Sequence, residues 1–181
     1  MDKAILLSIR PEWCEKIASG RKTMELRRGK PKLPEPFKCY IYCTGGGPYL
    51  NRHNGKLYFE EKDFLGGRGA GLYERLSGRV IGEFVCDRIM RQCQMQNADL
   101  AEQQSLVKRE RIFEYANGKE VYGWHISNLK IYGTSKPLSE FHRLCTPACN
   151  FSNECGGSSA TGCLFGIERP PQSWCYVEDA L

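Results

Sequence analysis

The chain has little that would place it in a membrane or a repeat architecture. Its first apolar run, residues 4–7, is followed at once by Arg10, Pro11 and Glu12. That is too short for a signal peptide or for the roughly 20 apolar residues of a spanning helix. The expected location is the cytoplasm, with no membrane partner. No internal repeat, heptad or low-complexity tract appears. Strand–helix alternation is not sustained, which argues against a doubly wound sheet. The run Gly45-Gly46-Gly47-Pro48 matches neither a P-loop nor a dinucleotide fingerprint, and its proline stands where a helix would begin. It reads as a loop, and no organic cofactor is expected. Histidine is scarce, at three. His53 reads as a solvated loop residue and His125 as a core or rim residue rather than a catalyst.

What is present is basic and rich in cysteine. The 26 Lys and Arg outnumber the 21 Asp and Glu, for a net charge of +5, a weak bias toward an anionic partner. The 181 residues suffice for a single domain, 1–181, with a real core. Ten cysteines are many for a reducing compartment, where disulfides are rare. Cys14, Cys39, Cys43, Cys86, Cys93 and Cys175 are scattered, mostly in apolar segments, as core fillers. Cys145, Cys149, Cys155 and Cys163 instead fall within nineteen residues, among Gly, Ser and Asn with little to pack. A segment that cannot build a core needs a staple, so these four thiolates are a candidate structural zinc site. Their spacing lacks the two-residue gap of common zinc motifs, and His142 is an alternative fourth ligand. The other readings are an iron–sulfur cluster, although the spacing matches none of its common motifs, and free thiols in a flexible loop.

Taken in order, residues 4–9 read as a strand. Pro11 suits a first helical position, Trp13, Cys14 and Ile17 share a helical face, and Gly20 supplies the stop. Pro31, Pro34 and Pro36 make a stiff connector before a strand over 37–44, rich in aromatic and β-branched residues. Residues 45–78 read as a long insertion loop holding a short strand or hairpin. There Arg52, His53, Arg68 and Arg75 are candidates for a nucleic-acid surface, with Tyr49, Tyr58 and Tyr73 to stack on bases. Residues 79–90 form a long strand in which alternation sets Ile81, Glu83 and Val85 on one face. Glu83, polar inside an apolar strand, needs a partner or an opening to water. It is either a rim residue or a second carboxylate of a site. A helix is expected over 105–115 with Ser105 as its cap, Leu106, Ile112 and Phe113 in phase, and Arg111 on a solvated face. A strand over 122–132 with an irregularity at Ser127-Asn128, a short turn at 137–141, the cysteine-rich insertion 143–164 and a closing strand within 165–181 complete the chain.

The stretch Gly20-Arg21-Lys22-Thr23-Met24-Glu25-Leu26-Arg27-Arg28 packs cations and a carboxylate into a helix–strand junction. With period two, Met24 and Leu26 face the core while Thr23, Glu25 and Arg27 share the other face. Lys22 has the wrong parity and joins them only if it sits in the turn before the strand settles. By spacing alone this is either a solvated edge strand or a site.

Residues 20–27 fit the pattern G-x-K-x-x-E-x-R, and the chain thereby resembles the ASCH domains, a PUA-like family. Ser8-Ile9-Arg10-Pro11, Val80-Ile81-Gly82-Glu83-Phe84 and Trp124-His125-Ile126 before a Pro-Leu-x-x-Phe turn look similar too. The tail at 169–178 looks like that of bacterial and phage members. The resemblance implies an α+β fold: a small mixed or antiparallel β-barrel with helices plugging its ends. It also implies a cleft lined by Gly20, Lys22, Thr23, Glu25 and Arg27 and a role in binding RNA or nucleotides. Some small members hydrolyse amides of acylated cytidines with a lysine and a threonine three residues later. Here the lysine matches at Lys22, but Glu25 occupies the later position. If the chain is an enzyme, the expected reaction is hydrolysis of a modified nucleoside amide or an RNA phosphodiester, with Lys22, Glu25 and Glu83 as catalytic candidates. A partner-protein adaptor is a further alternative.

Overall fold

In a computed structural model, residues 3–61, 73–91, 98–144 and 166–179 are described. The first apolar run becomes β1 (Lys3–Ile9), which lies parallel to β3 (Phe37–Cys43) and antiparallel to β9 (Trp174–Glu178). Its apolar run is continuous because both faces are covered. Ile5, Leu7 and Ile9 enter one core cluster, and Ala4 and Leu6 enter another on the opposite side. The helix α1 (Pro11–Ala18) follows, burying Cys14 and Ile17 against the first cluster. Gly20, at φ +74°, turns the chain. After β2 (Met24–Arg27) and β3 come three short strands, β4 (Tyr49–His53), β5 (Lys56–Glu60) and β6 (Tyr73–Arg75). Then follow β7 (Arg79–Arg91), α2 (Ala98–Ser105), α3 (Arg109–Ala116) and β8 (Tyr122–Lys136).

The main sheet runs β2-β8-β7-β3-β1-β9 and curls into a mixed half-barrel with the helices packed on it, an α+β architecture. A second sheet, β5-β4-β6, comes from the stretch that reads as an insertion. Its inner residue Leu50, and Leu76 just beyond β6, are fully buried in the main core, and Leu57 packs against it.

Three expectations change. Strict alternation separates Ile81 from Phe84, yet both lie in one cluster with Cys86. Ile41 pairs with Gly82 and Tyr42 with Val80, so Ile81 is an extra bulged residue that reverses the parity. Ser105 ends α2 rather than capping a helix. Leu106 then adopts φ +58°, breaking the run before α3. The break shifts the phase: Ile112 is buried while Leu106 and Phe113 are exposed. Finally, Arg52 does not dress a surface. Its guanidinium is buried against Glu74 at 2.7 Å and donates to the carbonyls of Tyr132 and Gly133, tying β4 to β8.

Cys14, Cys39, Cys43 and Cys86 are buried free thiols, and Cys175 is a half-buried one. Cys93, Cys145, Cys149, Cys155 and Cys163, like Arg68, lie outside the described residues.

Candidate nucleotide-binding cleft

Lys22 sits in the turn before β2, as its parity demands. The turn is fixed by backbone bonds on both sides. Lys22 N–H donates to Lys16 O (2.9 Å), and Thr23 N–H donates to Gln104 O in α2 (2.9 Å). The ammonium donates to Ser105 O (2.8 Å) and lies 3.3 Å from Glu25 Oε2. Ser105 is the last residue of α2, so the cation also meets the negative end of that helix. Lys22 is 2% exposed and Glu25 5%. Burial lowers the Lys22 pKa from its ordinary value. Glu25 pulls it back up, while Arg27 and Lys16 depress it further.

Glu25 is therefore not on a solvated face. Its partner across β8 is Trp124, which is fully buried. Its Oε1 is 2.7 Å from Arg27 Nη1, and Arg27 Nη2 donates to Ser8 O at the end of β1 (2.8 Å). Glu25 Oε2, 3.3 Å from the Lys22 ammonium, and Arg27 Nε are themselves buried.

The trio lies at one side of a cleft of about 770 Å³, within the usual size of small-ligand sites. Among the described residues lining it, Arg10, Lys22, Arg27, Arg28 and Arg111 carry positive charge against the single carboxylate Glu25. Trp13 and Tyr115 add aromatic surface. Lys16 and Lys22 lie over the Trp13 ring at 4.2 and 4.9 Å. Arg28 lies over the Tyr115 ring at 4.6 Å and donates to its carbonyl.

Of the residues singled out in sequence, Lys22, Glu25 and Arg27 come together here. Gly20 and Thr23 are not among the lining residues; they shape the turn, with Thr23 O accepting from Ile126 N–H (2.9 Å). Glu83 is not in the cleft either. It accepts from the Tyr132 hydroxyl (2.6 Å) and lies 4.0 Å from Lys130. His125 pairs with Asp87 (2.6 Å) and is likewise outside the lining. Arg111 and Tyr115 are wall residues that sequence reading placed elsewhere or passed over. Their spacing, one helical turn apart with Ile112 buried between, was the available signal. Among the described residues, no group of three or more His, Cys, Asp and Glu side chains is arranged to hold a metal. No helix among them is long and apolar enough to cross a membrane.

No family model matches the chain, and no curated protein does. Solved structures do. The ASCH protein of Zymomonas mobilis aligns over 97% of this chain and 88% of its own, with a TM-score of 0.56 and 14% identity. A tyrosine-to-phenylalanine variant of the same protein aligns over 98% and 92%, at 0.55 and 14%. A serine-to-alanine variant gives 97% and 89%, at 0.56 and 16%. Nearly the whole chain takes part in these alignments, so the protein has the fold of the ASCH proteins.

Proposed function

We propose that this chain is an ASCH-family protein that binds RNA or a nucleotide in the cleft beside β2. The observation that carries the reading is the buried Lys22–Glu25–Arg27 trio inside a lining of five cations and one carboxylate. Exposed Arg10, Arg28 and Arg111 meet phosphates, Trp13 or Tyr115 stacks on a base, and Glu25 accepts from a base edge or ribose hydroxyl. Fluorescence anisotropy with a labelled single-stranded RNA tests this. The double variant Arg28→Gln, Arg111→Gln leaves the buried trio intact and is expected to weaken binding at least tenfold. If three phosphates are neutralised, the salt slope for a single strand is about −2. Unchanged affinity and slope in that variant would sink the reading.

A hydrolase is the second reading, favoured by the lowered pKa of Lys22 beside a carboxylate. A lysine whose pKa is lowered by burial is a candidate general base. The substrate is then a modified nucleoside amide or an RNA phosphodiester. Turnover that survives Lys22→Ala would exclude it.

A further inference from the structure

The outer face of the small sheet has a composition that the cleft does not explain. Directly opposed residues of paired strands share a face. Asn51 opposes Tyr58 and Arg75, His53 opposes Lys56 and Tyr73, and Tyr49 opposes Glu60. The other face, with Leu50, Leu57 and Arg52, packs against the core and β8. The outward side therefore gathers the rings of Tyr49, His53, Tyr58 and Tyr73 with the cations Lys56 and Arg75. Tyr58 is 39% exposed, and Lys56 and Arg75 are exposed. The rings of His53 and Tyr73 lie 5.6 Å apart, and Arg75 lies 5.0 Å over Tyr49. Glu60, the one carboxylate among these opposed residues, accepts from Asn51 Nδ2 (2.8 Å) and the Tyr73 hydroxyl (3.1 Å).

We propose that this face is a second, separate platform for single-stranded RNA. Rings on a rigid sheet stack on bases whatever their sequence, and flanking cations meet the phosphates between them. A hydrophobic protein partner would use aliphatic surface instead, and an acidic peptide would need the cations but not the rings. The platform is also within reach of the cleft. Thr44 lines the cleft, and Tyr49 starts the platform five residues later. Those residues span at most about 18 Å, so one RNA strand can occupy both sites.

The test uses a 15-nucleotide oligouridylate carrying 4-thiouridine. Tyr58→Leu weakens binding about five- to tenfold, and Tyr58→Phe restores it, because stacking on a ring is worth that much per base. Arg75→Gln lowers the salt slope by about 0.7. Photocrosslinks fall on peptides containing residues 49–60 or 73–75 as well as on Trp13 or Tyr115. Circular dichroism and a melting curve confirm that each variant folds. Crosslinks confined to Trp13 and Tyr115, with unchanged affinity in Tyr58→Leu and Arg75→Gln, overturn the platform and leave the cleft standing. Crosslinks confined to the platform do the reverse. A wild-type protein that binds no 15-mer at micromolar concentration overturns both.

Discussion

Replacing Glu25 with glutamine keeps the side-chain shape and removes the counter-charge of two buried cations. The side chains of Lys22 and Arg27 are 2% and 12% exposed, at 3.3 and 2.7 Å from the carboxylate. Breaking a buried ion pair from one side costs about 3–5 kcal/mol. Lys22 has a partial escape, because burial already lowers its pKa and Glu25 is the main group holding it up. Shedding the proton places the cost at the lower end, about 3 kcal/mol. Lys22→Met has a different balance. It removes a charge whose burial is unfavourable and leaves Glu25 paired with Arg27. It loses the hydrogen bond to Ser105 O, worth about 1–3 kcal/mol when a buried acceptor is stranded. The recovered desolvation offsets most of that, so the net change is within about 1 kcal/mol. Urea unfolding followed by far-UV circular dichroism separates the two. With a slope of about 2 kcal/mol per molar, Glu25→Gln lowers the midpoint by about 1.5 M and Lys22→Met by under about 0.5 M. The pH dependence has a defined sign. The folded pKa of Lys22 lies below its unfolded value, so between the two the unfolded chain binds more protons. The Lys22 contribution to stability therefore rises with pH across that window. The difference between wild type and Lys22→Met isolates it. Equal midpoints for the two variants, or a lower one for Lys22→Met, would refute the role of Glu25 as counter-charge.

Three further outcomes are expected. A Cβ at Gly82 would stand 2.5 Å from the carbonyl oxygen of Lys130 on β8, so Gly82→Ala should destabilise by about 2–3 kcal/mol through forced separation of the central strands; an unchanged melting temperature contradicts that. Burial raises the pKa of Cys14 and Cys39 well above the ordinary value and that of Cys86 to about 12. Their contribution to stability is complete below about pH 9 and falls above it, by about 1.4 kcal/mol per thiol per pH unit. Urea midpoints under reducing conditions should drop steeply from about pH 9 upward, and a flat profile counts against buried neutral thiols. If Cys145, Cys149, Cys155 and Cys163 hold zinc, protein purified without chelator should contain about one equivalent; under a tenth of an equivalent, with all four thiols readily alkylated, removes that site.

Local signals carried much of the fold. Pro11 and Gly20 bound α1, Asn117 at φ 46° ends α3, and the irregularity at Ser127-Asn128 coincides with Asn128 at φ 47°. These are dictated within a few residues by backbone sterics. The positive φ at Leu106 and the bulge at Ile81 carry no such signature, because neither residue type favours its conformation. Packing imposes both.

From sequence alone, the succession β1, α1, β2 and β3, the burial of Cys14, Cys39, Cys43 and Cys86 and the grouping of Lys22, Glu25 and Arg27 at a helix–strand junction were determined, since each depends on neighbours in the chain. Only the tertiary structure decided that this group is buried rather than solvated. The acceptor of Lys22 lies 83 residues away at Ser105, and that of Arg27 lies 19 residues away at Ser8. Arg111 and Tyr115 reach the cleft only because α3 packs beside β2, where Ile112 joins Met24 and Leu26 in one apolar cluster. Charge and periodicity are written locally, but the depth of a cleft is set by which distant segments close over it.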